Sequence, residues 1–132
     1  MSTRSYIAKE HNDGSITAIY CHFDGYIEGV GQTLYENYNT NEKIDELLTL
    51  GDLSSLGPTP NESKAYHRDY NEKLHIAEYN KLSEFLNMVS NSWAEYVYIW
   101  RYGRWQVSDD VKNIEDFTTW SILKNRIGNY EE

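Results

Sequence analysis

The chain has 132 residues, 39% hydrophobic and 14% aromatic, so it is long and apolar enough to build the core of a single domain, 1–132. Its net charge of −9 disfavours binding to nucleic acid, because contact with phosphates needs a surplus of Lys and Arg. No apolar run approaches the roughly 20 residues of a membrane helix, and the N-terminus does not read as a signal peptide. The single cysteine, Cys21, excludes an internal disulfide and fits a reducing cytoplasm.

The first predicted element is a β-hairpin over about 3–23. Residues 3–9 read as a strand, Asn12-Asp13-Gly14 signals a turn, and residues 15–23 are rich in β-branched and aromatic types. Alternation divides the returning strand into two faces, of which the more apolar is predicted to face the core. The core-facing set is Thr17, Ile19, Cys21 and Phe23, and the outward-facing set is Ile16, Ala18, Tyr20 and His22.

Two helices are predicted after the turn at Asp24-Gly25. The apolar face of the first is formed by Val30, Leu34, Tyr35 and Tyr38. The second is predicted to be capped by Thr40 and to end at Gly51. Its buried stripe is formed by Ile44, Leu47 and Leu48.

The second half of the chain begins with a predicted loop over 52–62, which holds both prolines. Residues 65–69 can form a short edge strand or stay irregular. Helical spacing predicts a helix over about 76–89, and alternation predicts a second hairpin over 95–107, with its turn at Tyr102-Gly103. A final short helix, with Asp116 as its cap, is predicted from the spacing of Phe117, Trp120, Leu123 and Ile127.

Strands that come as hairpins, without strict βαβ alternation, indicate an α+β fold. We expect an antiparallel sheet built from the hairpins 3–23 and 95–107, with three to four helices packed on one side of it.

The first polar cluster lies at the end of the first hairpin. His22 and Asp24 are typical of acid/base sites, because a carboxylate stabilises a charged imidazole and fixes its tautomer. The competing interpretation, a surface histidine beside a turn aspartate, is favoured by roughly three to one. Cys21 and His22 should point to opposite faces of a strand, so the thiol reads as structural. We assign no catalytic residue.

The second polar cluster follows Tyr66. In the run His67-Arg68-Asp69, Arg68 can clamp a carboxylate or a phosphate bidentately, or it can form a surface ion pair of little consequence. The histidines and the cysteine lack the spacing of a structural zinc site, so we expect no metal and no cofactor. The run 100–105 interleaves cations with aromatic rings that can stack on bases, although the same residues also make an ordinary aromatic hairpin.

Two specific motifs stand in the N-terminal half, Tyr-Cys-His-Phe-Asp-Gly-Tyr at 20–26 and Leu-Gly-Asp-Leu-Ser-Ser-Leu-Gly at 50–57. With these motifs the N-terminal half resembles a family of small proteins encoded by phages, prophages and other mobile elements. Relatives tend to carry Trp where Phe23 stands and Pro where Ile27 stands. The segments that carry the resemblance are 2–5, 19–26, 30–31, 38–40, 50–57 and 65–69. The resemblance implies a biological setting and carries over no catalytic residues.

That setting gives the leading hypothesis, because small acidic accessory proteins of phages are often inhibitors of host defence. We expect a non-enzymatic, cytoplasmic anti-defence protein of the anti-CRISPR or anti-restriction type, which binds a host nuclease or CRISPR effector stoichiometrically. An acidic face would occupy the partner's basic nucleic-acid channel, so acidic side chains should cluster on one face. Direct contact with nucleic acid or a membrane is not expected, and the tyrosine-rich hairpin can form a homodimer face.

The alternative hypothesis is a small-ligand binder, such as a sponge for a nucleotide signal. A hydrolase built on the same histidines ranks last, because no motif supports it. The candidate ligand- or partner-binding residues are Arg4, His22, Asp24, Tyr26, Tyr66, His67, Arg68 and Asp69.

Overall fold

Two β-hairpins form the centre of the computed structural model, which describes residues 2–127. In the first, β1 (Ser5–Glu10) runs antiparallel to β2 (Ile16–Cys21). In the second, Tyr96–Arg101 runs antiparallel to Arg104–Ser108. Tyr102 and Gly103 join them with φ of 58° and 75°, the left-handed pair that a tight two-residue hairpin turn requires. Both predicted hairpins and the α+β class are therefore confirmed.

The hairpins are joined into one sheet of eight strands within residues 2–127. The strands not yet numbered are β3 (Leu53–Ser55), β4 (Lys64–Ala65), β5 (Ala77–Tyr79), β6 (Tyr96–Arg101), β7 (Arg104–Ser108) and β8 (Trp120–Ile122). Their order is β4-β3-β2-β1-β6-β7-β8, and β5 also pairs with β2. The sheet is mostly antiparallel, since only the β1/β6 and β2/β3 pairs within the described chain are parallel.

Helices connect these strands. The four α-helices of residues 2–127 are α1 (Gln32–Asn37), α2 (Asn41–Leu48), α3 (Tyr66–Tyr70) and α4 (Leu82–Ser90). A wide π-type turn, Ile27–Gly31, leads into α1. Thr40 caps α2 as predicted, because its Oγ1 accepts a hydrogen bond from Lys43 N at 3.2 Å. Short 3₁₀ turns span Pro60–Glu62, Val111–Asn113, Phe117–Thr119 and Leu123–Arg126.

Helices cover both faces of the sheet. Alternate residues of a strand point to opposite faces, so Ile19 and Cys21 are buried with α1 and α2, whereas Ile16 and Ala18 are buried with α4. The prediction of helices on one side is therefore wrong, because α4 packs on the face that the sequence assigned to the outside. Farther along that face His22 stays half-buried, as expected.

Three local predictions need correction. The prediction of a final helix over 117–127 is wrong, since 120–122 forms β8 on the free edge of β7. Asp116 nevertheless acts as a cap, because its Oδ1 accepts a hydrogen bond from Thr118 N at 3.0 Å. The helix predicted over 76–89 starts only at Leu82, because 77–79 pairs with β2. The loop over 52–62 contains β3. Each of these short strands forms backbone hydrogen bonds with a neighbouring strand, and the local sequence pattern does not indicate that neighbour.

The open alternative at 65–69 has a mixed outcome. Lys64–Ala65 is an edge strand that pairs with β3, and α3 starts at the next residue.

Among the described residues, no helix combines the length and the apolar character needed to cross a membrane.

Candidate functional site

His22 lies in a polar and aromatic cluster on the outer part of the α4 face. Its Nδ1 is 2.7 Å from the Tyr20 hydroxyl, and its ring packs edge-on against Phe23 with centroids 4.5 Å apart. Burial raises the pKa of Tyr20, and the nearby Arg4 guanidinium opposes that rise. Arg4, Tyr20 and His22 therefore form one cluster, with Tyr6 packed against the Tyr20 ring.

Asp24 is turned away from this cluster by its backbone. It adopts a left-handed conformation, with φ of 61°, and its carboxylate accepts a hydrogen bond from the Tyr26 hydroxyl at 3.1 Å. That hydrogen bond is the largest cause of the raised pKa of Tyr26, because losing the phenol proton would place two anions together. His22 and Asp24 thus bind different tyrosines and do not act on each other as an acid/base pair.

The tight turn around Asp24 explains two of its glycines. A Cβ at Gly29 would lie 2.2 Å from the Asp24 carbonyl oxygen, and one at Gly25 would lie 2.7 Å from the Thr3 carbonyl oxygen. Because the obstructing atoms belong to the backbone, only glycine fits at either position. Both glycines therefore allow close packing of the chain in this turn.

Cys21 is structural, as the sequence indicated. Its side chain is fully buried, and burial raises the pKa of the thiol to about 12. A thiol that remains protonated at neutral pH is a poor nucleophile, and its Sγ points toward the Phe23 carbonyl oxygen at 3.7 Å.

Arg68 and Asp69 are engaged within the chain. Arg68 Nε and Nη2 donate to the Asp69 carboxylate at 3.0 and 2.9 Å. Its Nη1 and Nη2 also donate to the carbonyl oxygens of Pro60 and Ser63 at 3.0 and 2.7 Å. Asp69 in turn accepts from Ala65 N at 2.8 Å. The Arg68 guanidinium, for which the sequence left a ligand clamp and a surface ion pair open, therefore pairs with Asp69 and holds the 60–63 turn against α3.

His67 is also occupied locally, with its Nδ1 2.8 Å from the Glu72 carbonyl oxygen. Tyr66, by contrast, approaches the His22 cluster. Asp52 connects the two, because its Oδ1 accepts from Tyr20 N at 2.9 Å and its carbonyl oxygen accepts from Tyr66 N at 3.1 Å. Tyr66 is close enough to add to the rise in the pKa of Tyr20 that burial causes.

The structure therefore divides the eight predicted site residues into three groups. Arg4, His22 and Tyr66 surround Tyr20 on one face. Asp24 and Tyr26 lie together at the end of the sheet. His67, Arg68 and Asp69 are bound to the loops that flank α3.

A cavity of about 540 Å³ opens beside Tyr26. We call it the acidic groove; it is lined by Thr3, Tyr26, Ala94, Glu95, Tyr96, Asp109, Asp110, Val111 and Lys112. Burial raises the pKa of Tyr96, and the negative charges of Asp109, Glu28 and Glu95 raise it further. Carboxylates from three separate segments of the chain, at 24–28, 95 and 109, therefore lie around Tyr26 and Tyr96.

An exposed tryptophan adjoins the acidic groove. Trp93, which directly precedes the groove residue Ala94, exposes 84% of its surface. An aromatic ring left in water costs solvation free energy unless a partner covers it, and tryptophan is enriched among the strongest contacts of protein interfaces. Sequence reasoning missed the groove, although the Asp109-Asp110 pair and a tryptophan in a polar loop were visible signals.

Comparison with protein-family models, with curated proteins and with solved structures gave no match. Within residues 2–127, no three His, Cys, Asp or Glu side chains are grouped so that they could hold a metal ion.

Proposed function

We propose that this protein acts by stoichiometric, non-catalytic binding to a positively charged protein surface, and that the acidic groove makes the contact. The observation that carries the proposal is the convergence of Glu28, Glu95 and Asp109 around Tyr96, next to the exposed Trp93. Converging negative charges speed the encounter with a basic partner, and a central aromatic side chain supplies contact energy.

The charge balance around the groove supports this role. Asp109 is paired with Arg126 at 3.1 Å, and Lys112 also lines the groove. Glu28 and Glu95, which are both exposed, add negative charge beyond what these two cations offset. The region therefore matches the sign of charge that a basic channel attracts.

A nucleic-acid channel is the kind of basic surface that such a groove fits. The resemblance of the N-terminal half to mobile-element proteins favours a host defence protein as the partner, namely a nuclease or a CRISPR effector. The protein would then compete with nucleic acid for the channel, as an anti-CRISPR or anti-restriction inhibitor does.

Charge reversal tests the proposal. The tagged protein is used to capture its partner from host lysate, and the captured protein is purified for affinity measurements and for a competition assay with nucleic acid. The double variant Glu28→Lys/Glu95→Lys should abolish capture. The matched control, Glu72→Lys/Glu78→Lys, has the same net charge on exposed residues away from the groove and should capture normally.

Removal of the aromatic contact gives a second test. Trp93→Ala should weaken binding by about 2 kcal/mol or more and leave the folded chain intact, since the ring is mostly in solvent. Equal losses of binding in both charge variants, or a partner that binds the inhibitor and nucleic acid together, would contradict the proposal.

The second candidate function, small-ligand binding at the predicted residues, is supported by the cluster of Arg4, Tyr20, His22 and Tyr66. Arg68 and Asp69 would not contribute, because both are bound within the chain. Thermal-shift measurements with nucleotides near saturation test this candidate, since any ligand that binds the folded state raises the melting temperature. His22→Ala should remove the shift.

A further inference from the structure

A second cavity, of about 650 Å³, lies between the 96–108 hairpin, the end of α1 and the turn after β8. This volume falls in the range of small-molecule sites, which is about 300–1,000 Å³. Its walls are mainly aromatic and aliphatic, and its rim is polar. The wall residues are Tyr35, Trp100, Trp105 and Ile122, and the polar residues include Glu36, Asn39, Arg104 and Lys124.

The aromatic wall is held in place by its own hydrogen bonds. Trp105 Nε1 donates to the Tyr38 carbonyl oxygen at 2.8 Å, and Trp100 Nε1 donates to Asn41 Oδ1 at 3.2 Å. The two indoles meet edge-on, with centroids 5.5 Å apart. Trp100 is 8% exposed and Trp105 is 3% exposed, so each indole presents only a small part of its ring to the cavity, and that part is apolar because both N–H groups are already used. Tyr35 adds a half-buried ring. Such a wall suits a flat, aromatic group.

Positive charge gathers at the rim of the same cavity. Arg104 comes from the start of β7 and Lys124 from the turn after β8, and both side chains are exposed. Two neighbouring arginines serve the fold instead, since Arg101 pairs with Glu10 at 2.8 Å and Arg126 pairs with Asp109 at 3.1 Å. Arg104 and Lys124 can therefore hold an anion, as their chemistry favours phosphate.

Hydrogen-bond acceptors line the side of the cavity formed by α1. Glu36 contributes a carboxylate, which accepts from Gln32 Nε2 and has further lone pairs. Asn39 adds an amide oxygen. An exocyclic amine on an aromatic ring could donate to either group. Flat apolar walls, two cations and two acceptors together describe a ligand that carries a nucleobase and a phosphate.

We propose that this cavity binds a nucleoside monophosphate. The base packs between Tyr35 and the wall of Trp100 and Trp105, and the phosphate lies between Arg104 and Lys124. The site shares no residue with the acidic groove, so it is independent of the proposed protein partner.

Calorimetric titration of the full chain with the adenosine, guanosine, cytidine and uridine monophosphates tests the site. We expect at least one to bind and to raise the melting temperature. Arg104→Gln/Lys124→Gln should weaken binding by about tenfold or more, because charge-assisted hydrogen bonds to phosphate are lost. The matched control Lys64→Gln/Lys73→Gln, which changes the net charge equally at exposed positions away from the cavity, should bind as the wild type does.

Two further measurements separate the parts of the ligand. Tyr35→Ala should weaken binding of the monophosphate, and the nucleoside without phosphate should bind less tightly than the monophosphate. Circular dichroism checks that each variant is folded. The proposal is overturned if no monophosphate binds at millimolar concentration or if the Arg104→Gln/Lys124→Gln variant binds as tightly as its matched control. It is also overturned if the free nucleoside binds as tightly as the nucleoside monophosphate.

Discussion

Gly29 shows how a single missing side chain shapes the first turn. The Asp24 carbonyl oxygen, which accepts from Val30 N at 2.8 Å, would lie 2.2 Å from a Cβ at Gly29. Gly29→Ala must therefore displace the backbone, and we expect a loss of about 1–3 kcal/mol in the free energy of unfolding, measured by urea titration. Glu28→Ala is the control, since this exposed residue lies in the same turn and already carries a Cβ. Equal losses would show that the close contact does not matter.

Asp69 makes the stability of the α3 region depend on pH. Hydrogen bonding to Arg68, followed by that to Ala65 N, lowers the pKa of Asp69 to about 2 from 3.8. A carboxyl whose pKa is lowered by folding contributes fully above pH 3.8 and loses that contribution as the pH falls toward its folded value.

Asp69→Asn should therefore lower the melting temperature at neutral pH, and the gap to the wild type should close as the pH falls from 3.8 to about 2. Glu72→Gln, an exposed neighbour, serves as the control with little change at either pH. A gap that persists unchanged at the lowest pH would mean that the ion pair with Arg68 is not its cause.

Helix α2 illustrates an element that the sequence describes well. Thr40 and the apolar spacing of Ile44, Leu47 and Leu48 gave both its start and its buried face. Thr40→Ala removes the acceptor for Lys43 N and should destabilise the protein by about 0.5–2 kcal/mol. Thr40→Ser keeps the hydroxyl and should stay near the wild type in the same chemical denaturation. A full loss with serine would indicate that the threonine methyl group, and not the cap, is responsible.

β8 illustrates an element that the sequence misrepresents. Phe117, Trp120, Leu123 and Ile127 have helical spacing, yet 120–122 extends along β7. The interactions that favour this arrangement come from β7, since Gln106, Val107 and Ser108 pair with Ile122, Ser121 and Trp120. Local periodicity cannot report an open sheet edge elsewhere in the chain. A cap and an apolar stripe therefore predicted α2 correctly, whereas the same signals misled at 116–127, where the segment completes a sheet edge.

At the scale of the whole molecule, the candidate site was predictable only in part. Alternation placed His22 on an outward face; that face is covered by α4 at Ile16 and Ala18, and His22 is half-buried beyond them. The hydrogen-bond partners of Arg68 could not be identified from the sequence. Its guanidinium donates to the carbonyl oxygens of Pro60 and Ser63, which reach Arg68 only because the 60–63 turn folds back toward α3. The acidic groove was equally hidden, since it joins residues near 26, 95 and 110 through the parallel pairing of β1 with β6.

The acidic groove should also store electrostatic repulsion, which can be measured without any partner. The net charge of −9 opposes folding most strongly where like charges are close. Glu28→Lys/Glu95→Lys relieves the repulsion around Tyr96, whereas Glu72→Lys/Glu78→Lys makes the same change in net charge elsewhere. At about 0.01 M NaCl, where the screening length is about 30 Å, the groove variant should gain more in melting temperature than the control variant.

At about 1 M NaCl, where the screening length falls to about 3 Å, that difference should largely vanish. The salt series therefore separates electrostatic repulsion from any change in packing, because packing differences persist at high salt. If the two variants melt alike at both salt concentrations, the carboxylates do not repel one another more strongly in the groove than elsewhere. The electrostatic argument that the acidic groove binds a basic protein would then fail.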